Sequence, residues 1–425
     1  MNDPLPPVRS AAGTAWLTVL LLMPVAMLNY LDRQMLASMA TSVMADIPSL
    51  GNAENPQELW GFMLGQFKWV YAAFSLIGGY LADRFSRKLT ICASLFVWSG
   101  VTAWTGQVTT YNELLWARSL MGFSEAFYIP AALALIADHH SDATRSRAVG
   151  LHQLGISLGV IAGGFGGYAA DAPGIGWRNA FGFCGLAGML YALPLLLLLR
   201  GGPSVAQSAA PKLRQSPGRS LLELLRNGSF LLLVLYFTLP AMAGWVVRDW
   251  MPKIFKDRYQ LGQGFAGVTA TLYWQIAAII GVIVGGYLAD RAMQRNIRGR
   301  IWISAIGMAM IVPAIFGVGF APTVLVAVLF LVLFGLGWGF FDCNNMPILS
   351  QIVRPELRAT GYGVMNFVSI SCGGLADWMF GKLQQQGVPL SVSFGGFAAL
   401  AVVSIVLVLL IRPRAELASS PRSES

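Results

Sequence analysis

Apolar residues in this chain fall into long blocks separated by short polar stretches. Val324 to Phe341 and Phe394 to Ile411 are two such blocks. Blocks of about 18 to 25 residues match the roughly 20 helical residues that cross roughly 30 Å of hydrocarbon. Lipid offers backbone N–H and C=O groups no partner, so the blocks must be helices. The short alternating segments of an outer-membrane barrel do not occur. The pattern predicts twelve helices, at 14–38, 60–82, 89–109, 113–137, 145–170, 177–199, 229–251, 264–289, 301–320, 323–350, 358–383 and 390–411.

The longest stretch between helices runs from Arg200 to Asn227. It holds Pro203, Pro211 and Pro217 with Arg200, Lys212, Arg214, Arg219 and Arg226, and reads as a linker between two halves. The expected division is 1–199 for an N-terminal six-helix bundle, 200–228 for a cytoplasmic linker, and 229–425 for a C-terminal bundle with a cytoplasmic tail. The halves repeat each other. Gly78-Gly79-Tyr80-Leu81-Ala82-Asp83-Arg84 recurs unchanged as Gly285-Gly286-Tyr287-Leu288-Ala289-Asp290-Arg291. More loosely, Gly122-Phe123-Ser124-Glu125 with Pro130 matches Gly339-Phe340-Phe341-Asp342 with Pro347. The fold class is therefore an all-α membrane protein, twelve transmembrane helices in two pseudo-symmetric six-helix bundles. Duplicated bundles put a substrate site at their interface near mid-membrane, exposed to each side in turn by rocking.

Composition agrees: 56% of the 425 residues are hydrophobic and 12% charged, about half the charge of a soluble chain. A net charge of +9 could suggest nucleic acid as a partner. Most Lys and Arg, however, fall in loops on the side that holds the N-terminus. The positive-inside rule reads this as orientation, with both termini in the cytoplasm and the chain in the inner membrane. The N-terminus reads as the approach to helix 1 rather than a cleaved signal peptide. The four cysteines lie in predicted helices without metal spacing and read as packing residues.

The charges inside the helices carry the candidate chemistry. Each costs roughly 2.5–3.5 kcal/mol at mid-bilayer on insertion scales. Asp32, Arg33, Lys68, Arg118 and Glu125 are therefore expected to share one wet cavity. On helix 4, Arg118, Gly122 and Glu125 lie on one face, with about 10 Å along the axis between the two charges. The glycine removes bulk there, leaving room for a ligand or for a charged side chain from helix 1. Asp32 and Arg33 are adjacent and point about 100° apart; one division has Asp32 facing a neighbouring cation while Arg33 faces the cavity. Lys68 either binds an anionic substrate group or neutralises Asp32 or Glu125. Its repeat counterpart is Gln275. Asp377, Asn344, Asn345 and Asn366 are candidate cavity residues of the second half. Arg248 and Asp249 lie near the outer end of helix 7, where snorkelling to water is the plain alternative. The asymmetry places ion coupling in the first half and hydrogen bonding in the second.

Asp83 and Asp290 end helices 2 and 8 where basic loops begin. Pairing with Arg84, Arg87, Lys88 and Arg147 would gate the cytoplasmic face, with Arg291 in the second copy; plain topology control by the cations is the alternative. His139-His140 is a weak metal candidate, and His152 either packs or reaches the cavity. No phosphate-binding glycine loop, nucleophile elbow or metal-ligand spacing occurs. The expectation is a transporter rather than an enzyme, driven by an ion gradient, with no cofactor and no bound metal.

Gly79-Tyr80-Leu81-Ala82-Asp83-Arg84-Phe85-Ser86-Arg87-Lys88 resembles the signature of the major facilitator superfamily, with Ser86 where glycine is usual. Within it, Asn29-Tyr30-Leu31-Asp32-Arg33, Trp69 and Tyr71 before Gly78-Gly79, and Arg118 seven residues before Glu125 look like the anion:cation symporter branch of sialic acid, hexuronate and galactonate carriers. Lys68 and Ser75 depart from that branch, and an added cation favours a more anionic substrate. The resemblance implies the major facilitator fold and alternating access. It implies proton-coupled symport of a small organic anion such as a sugar acid. Asp32 and Glu125 would carry the proton, Arg33 would hold the substrate carboxylate, Arg118 would couple or bind, and Tyr30 and Tyr71 would be polar walls. Gly122 to Asp138 also resembles the Spinster branch, which implies the alternative of an exporter of an amphipathic lipid or drug. The expected partners are the anion, the proton and membrane lipid, with the protein a monomer.

Overall fold

The computed structural model describes residues 12–84, 86–201, 217–414 and 416. Twelve long helices cross the molecule among these residues. They are α1 (Ala12–Ser38), α2 (Pro56–Arg84), α3 (Arg87–Thr105), α4 (Tyr111–His139), α5 (Ala143–Asp171), α6 (Gly176–Leu198), α7 (Gly228–Tyr259), α8 (Gln263–Met293), α9 (Gly299–Phe320), α10 (Val324–Ile352), α11 (Arg358–Gln385) and α12 (Leu390–Leu410). Nine of them are apolar enough to cross a membrane by length and hydropathy alone. The others are α2, α3 and α11, and α2 and α11 carry Lys68 and Asp377. The helices alternate in direction, so α1 begins and α12 ends on one side, here the near side.

Local chemistry repeats with the halves. Thr110 caps α4, its side chain accepting from the Glu113 N–H in a capping box, and Thr323 caps α10 by accepting from the Val326 N–H. Both helices break at one place, after Glu125 and after Asp342. Pro130 and Pro347 follow the breaks, and each removes the N–H that would bond four residues back. Between α1 and α2 lie two short helices, Ala40–Asp46 and Pro48–Gly51. Of the expected linker, residues 202–216 lie outside the described residues, and Pro217–Leu225 forms a helix. Arg354 holds that helix by a two-pronged ion pair to Glu223, at 3.0 and 2.6 Å.

The halves meet through glycines. A Cβ on Gly61 would lie 2.4 Å from the Asp377 carbonyl oxygen, and one on Gly65 2.7 Å from that of Gly374, so α2 and α11 touch backbone to backbone. Across α5 and α8, a Cβ on Gly267 would lie 2.4 Å from the Gly164 carbonyl oxygen. Such contacts draw membrane helices together by packing rather than by the hydrophobic effect.

The hydrogen bonds that join described residues of the two halves lie at mid-membrane or on the far side. Far-side examples are Gln57 N–H to Gln385 Oε1 at 3.1 Å, Trp378 Nε1 to Glu58 Oε1 at 3.2 Å and Gln263 Nε2 to Ser42 Oγ at 2.8 Å. The molecule is thus closed on the far side.

Candidate functional site

At mid-membrane, where the halves meet, a small cavity is lined by Tyr30, Arg33 and Gln34 of α1, Leu64, Phe67 and Lys68 of α2, Arg118 of α4, Val160 of α5, and Trp245, Arg248 and Asp249 of α7. The space left at its centre is about 20 Å³, room for about one water. A solute of sugar size requires these walls to part.

Of the residues expected to bind substrate, Arg33, Arg118, Lys68 and Tyr30 line this cavity, and Tyr71 stands beside them with its ring 5.0 Å from the Arg33 guanidinium carbon. Arg33 Nε donates to Glu125 Oε2 at 2.6 Å and its Nη2 to Asn29 Oδ1 at 3.3 Å. The rings of Tyr30 and Phe67 lie 4.9 and 4.7 Å from the same carbon. Arg33 therefore already has a carboxylate.

Arg118 does not. It is 2% exposed, its ring neighbour is Phe67 at 4.5 Å, and its Nη1 meets only the Met121 sulfur at 2.9 Å. Its Nε has no hydrogen-bond partner, and among the described residues no carboxylate lies within ion-pair distance of it. A buried charge in that state is costly unless something pairs with it.

Asp32 was expected to face a cation. Its hydrogen bond goes to α3 instead, accepting from Thr102 Oγ1 at 3.1 Å, with its other oxygen unpartnered; Arg118 and Arg33 act on it only from beyond ion-pair distance. The 100° step between adjacent residues sends Asp32 and Arg33 to different helices, and α3 offers a hydroxyl at that height rather than a cation. Gly122 was expected to open space for a ligand or a charged side chain. A Cβ there would lie 2.6 Å from the Phe67 carbonyl oxygen, so Gly122 admits the α2 backbone.

Lys68 neutralises neither Asp32 nor Glu125, and its ammonium is already occupied. It contacts Asp249 of α7 and Asp377 of α11 at ion-pair distance, joining the two halves, and is 2% exposed. Asp249 is buried rather than snorkelling, because α7 runs on to Tyr259 and sets it well inside the helix. The second half thus contributes two carboxylates, the expected Asp377 and also Asp249, where mostly hydrogen bonding was expected.

The other candidates sit apart from the cavity. Gln275 Nε2 donates to Ser157 Oγ at 3.1 Å across the halves. Asn344 is buried at the break in α10 and donates back to the Phe340 carbonyl at 2.9 Å. Asn366 is half-buried on α11 and is not among the lining residues. His152 packs, its Nε2 2.9 Å from the Tyr128 hydroxyl.

On the near side Arg87 pairs with Asp138. Asp290 accepts from Arg300 at 2.6 Å, and Arg291 donates to the Tyr287 hydroxyl at 3.4 Å. The side chains of Asp83 and Arg84 lie outside the described residues.

Sequence reasoning missed Asp249 as a bridge and Trp245 as a wall. Trp245 has a signal only in hindsight, one helical turn before Asp249 on the same face.

Twelve spans in two duplicated halves around a charged mid-membrane cavity define a membrane transport protein. The family model of the Major Facilitator Superfamily matches residues 22–376, and the chain belongs to that family. An MFS-type efflux pump of Mycolicibacterium smegmatis is 28% identical, over 88% of this chain and 86% of that protein. A hexuronate transporter of Bacillus subtilis is 24% identical, over 95% of this chain and 98% of that protein. Among solved structures, a bacterial homologue of the human lysosomal transporter Spinster, inward-facing and occupied, matches with a TM-score of 0.78 at 19% identity, over 97% of this chain and 100% of that chain.

Proposed function

We propose that this transporter carries a small organic anion together with a proton by alternating access, from the inner membrane with both termini in the cytoplasm. The observation that carries the reading is Arg118, a buried guanidinium on the cavity wall with no carboxylate within ion-pair distance among the described residues. A substrate carboxylate supplies the missing partner, and arginine binds it through two parallel N–H donors.

Charge balance supports the proton. The cations at the site are Arg33, Lys68, Arg118 and Arg248, and the carboxylates are Asp32, Glu125, Asp249 and Asp377. One sign matches the other, so an entering anion brings negative charge in excess into a buried, low-dielectric space. A proton entering with each of its charges removes the excess. Glu125 and Asp32 are the carriers in this reading: Glu125 shares Arg33, and Asp32 has an unpartnered oxygen. The Bacillus subtilis relative, a hexuronate transporter, fits a sugar acid as cargo.

The test is uptake of labelled D-galacturonate into proteoliposomes under an inward proton gradient. Accumulation that alkalinises the outside and collapses with a protonophore is expected. Accumulation indifferent to the gradient removes the proton from the reading.

The alternative, export of an amphipathic lipid or drug, is favoured by the aromatic walls Tyr30, Phe67 and Trp245 and by the efflux-pump relative. It requires transport that survives neutralisation of Arg118.

A further inference from the structure

We infer that the cavity takes a dianion, a solute with an anionic group at each end, and that Arg248 reads the second group. This deepens the organic-anion reading above and rests on it.

Arg118 is not the only cation there without a carboxylate. Arg248 of α7 lines the same cavity from the opposite half. Its guanidinium carbon sits 5.1 Å from the Trp245 ring, 5.7 Å from Tyr30 and 5.8 Å from Trp274. Its Nε is buried without a hydrogen-bond partner. Among the described residues it makes no ion pair, although Asp249 is its neighbour in sequence: the helix turns Asp249 about 100° away, toward Lys68.

Three of the four carboxylates at the centre are held in ion pairs, and the fourth, Asp32, accepts from Thr102 on α3. Glu125 holds Arg33, and Asp249 and Asp377 hold Lys68. Two guanidinium groups remain, one on each half. Different rings flank them: Phe67 faces both Arg118 and Arg33, while Tyr30 faces both Arg33 and Arg248. Two guanidinium groups on opposite halves, neither in an ion pair among the described residues, suit a ligand with an anionic group at each end. A monoanion leaves one of them unmatched.

The placement also gives Arg248 a part in the transport step. A dianion held by Arg118 on one half and Arg248 on the other ties the halves together at mid-membrane, which a ligand read by one half alone does not do.

D-Glucarate and D-gluconate test this, because they share a carbon chain and differ only in whether the sixth carbon is a carboxylate or an alcohol. Their affinities for the purified full chain are to be measured by ligand-induced thermal stabilisation and by calorimetry. The expected result is binding of glucarate at least tenfold tighter than gluconate. Arg248→Gln should erase that preference by weakening glucarate while leaving gluconate unchanged, and Arg118→Gln should weaken both. Arg248→Lys, which keeps the charge without the planar fork, should retain part of the preference and guards against misfolding of the glutamine variant.

Equal binding of the two acids by the wild type overturns the inference, as does an Arg248→Gln variant that weakens both alike. In either case the organic-anion reading survives. If neither acid binds, that reading falls and the dianion falls with it.

Discussion

Arg33 Nε donates to Glu125 Oε2 at 2.6 Å, across α1 and α4, while Arg118, seven residues before Glu125 on α4, has no carboxylate partner. The two arginines are chemically alike and differently employed. One is committed to the protein, and the other is free, in the function proposed above, to meet a ligand.

That division predicts how Glu125 behaves. Glu125→Gln removes the charge that holds Arg33 and the group proposed to exchange a proton. Gradient-driven accumulation of galacturonate should be lost, while exchange of labelled for unlabelled solute at equal pH persists. Both activities are measured in the same proteoliposomes, and an unaltered accumulation would take Glu125 out of the coupling step.

Lys68 predicts a stability effect. Replacing it with Met strands Asp249 and Asp377 as two buried carboxylates without a cation, and breaking a buried pair in this way costs about 3–5 kcal/mol. The melting temperature in detergent should fall clearly. Adding Asp377→Asn to the same protein should recover part of the loss, because one stranded charge is then gone. No recovery would mean that the lysine stabilises by packing against Trp245, whose ring lies 4.7 Å away, rather than by charge.

The glycine seam predicts a conformational effect. A Cβ on Gly65 meets the Gly374 carbonyl oxygen at 2.7 Å, across the halves, whereas one on Gly122 meets the Phe67 carbonyl oxygen at 2.6 Å, within one half. Gly65→Val should wedge the far side open, and Gly122→Val should damage the fold. A cysteine placed at Gln57 reports the first through faster labelling by a membrane-impermeant maleimide. Loss of folded yield reports the second. Unchanged labelling in Gly65→Val would show that α2 and α11 do not part during opening.

The fold was legible because hydropathy and the repeat are each local signals. The ends of α4 and α11 fall within two residues of the sequence expectation, at Tyr111–His139 and Arg358–Gln385. Helix α7 was read short, ending at 251 rather than Tyr259, because Lys253, Lys256 and Asp257 dilute its hydropathy while still lying on the helix. That one boundary hid Asp249. The site was legible as a set of charged residues but not as a set of pairs. Which carboxylate meets Lys68 depends on contacts 181 and 309 residues away in the chain, and no local pattern encodes them. Gly122 misled for a related reason: a bare helix face suits a ligand and a neighbouring backbone equally, and only packing distinguishes them.

The most direct measurement is binding of D-galacturonate and of D-galactose to the purified protein, with and without Arg118→Gln. A buried charge pair that loses one member typically costs 2–5 kcal/mol, about 30-fold or more in affinity. The acid should bind, the neutral sugar should not, and Arg118→Gln should weaken the acid by at least that factor. Equal binding of both sugars, or an acid affinity untouched by the substitution, would contradict the account.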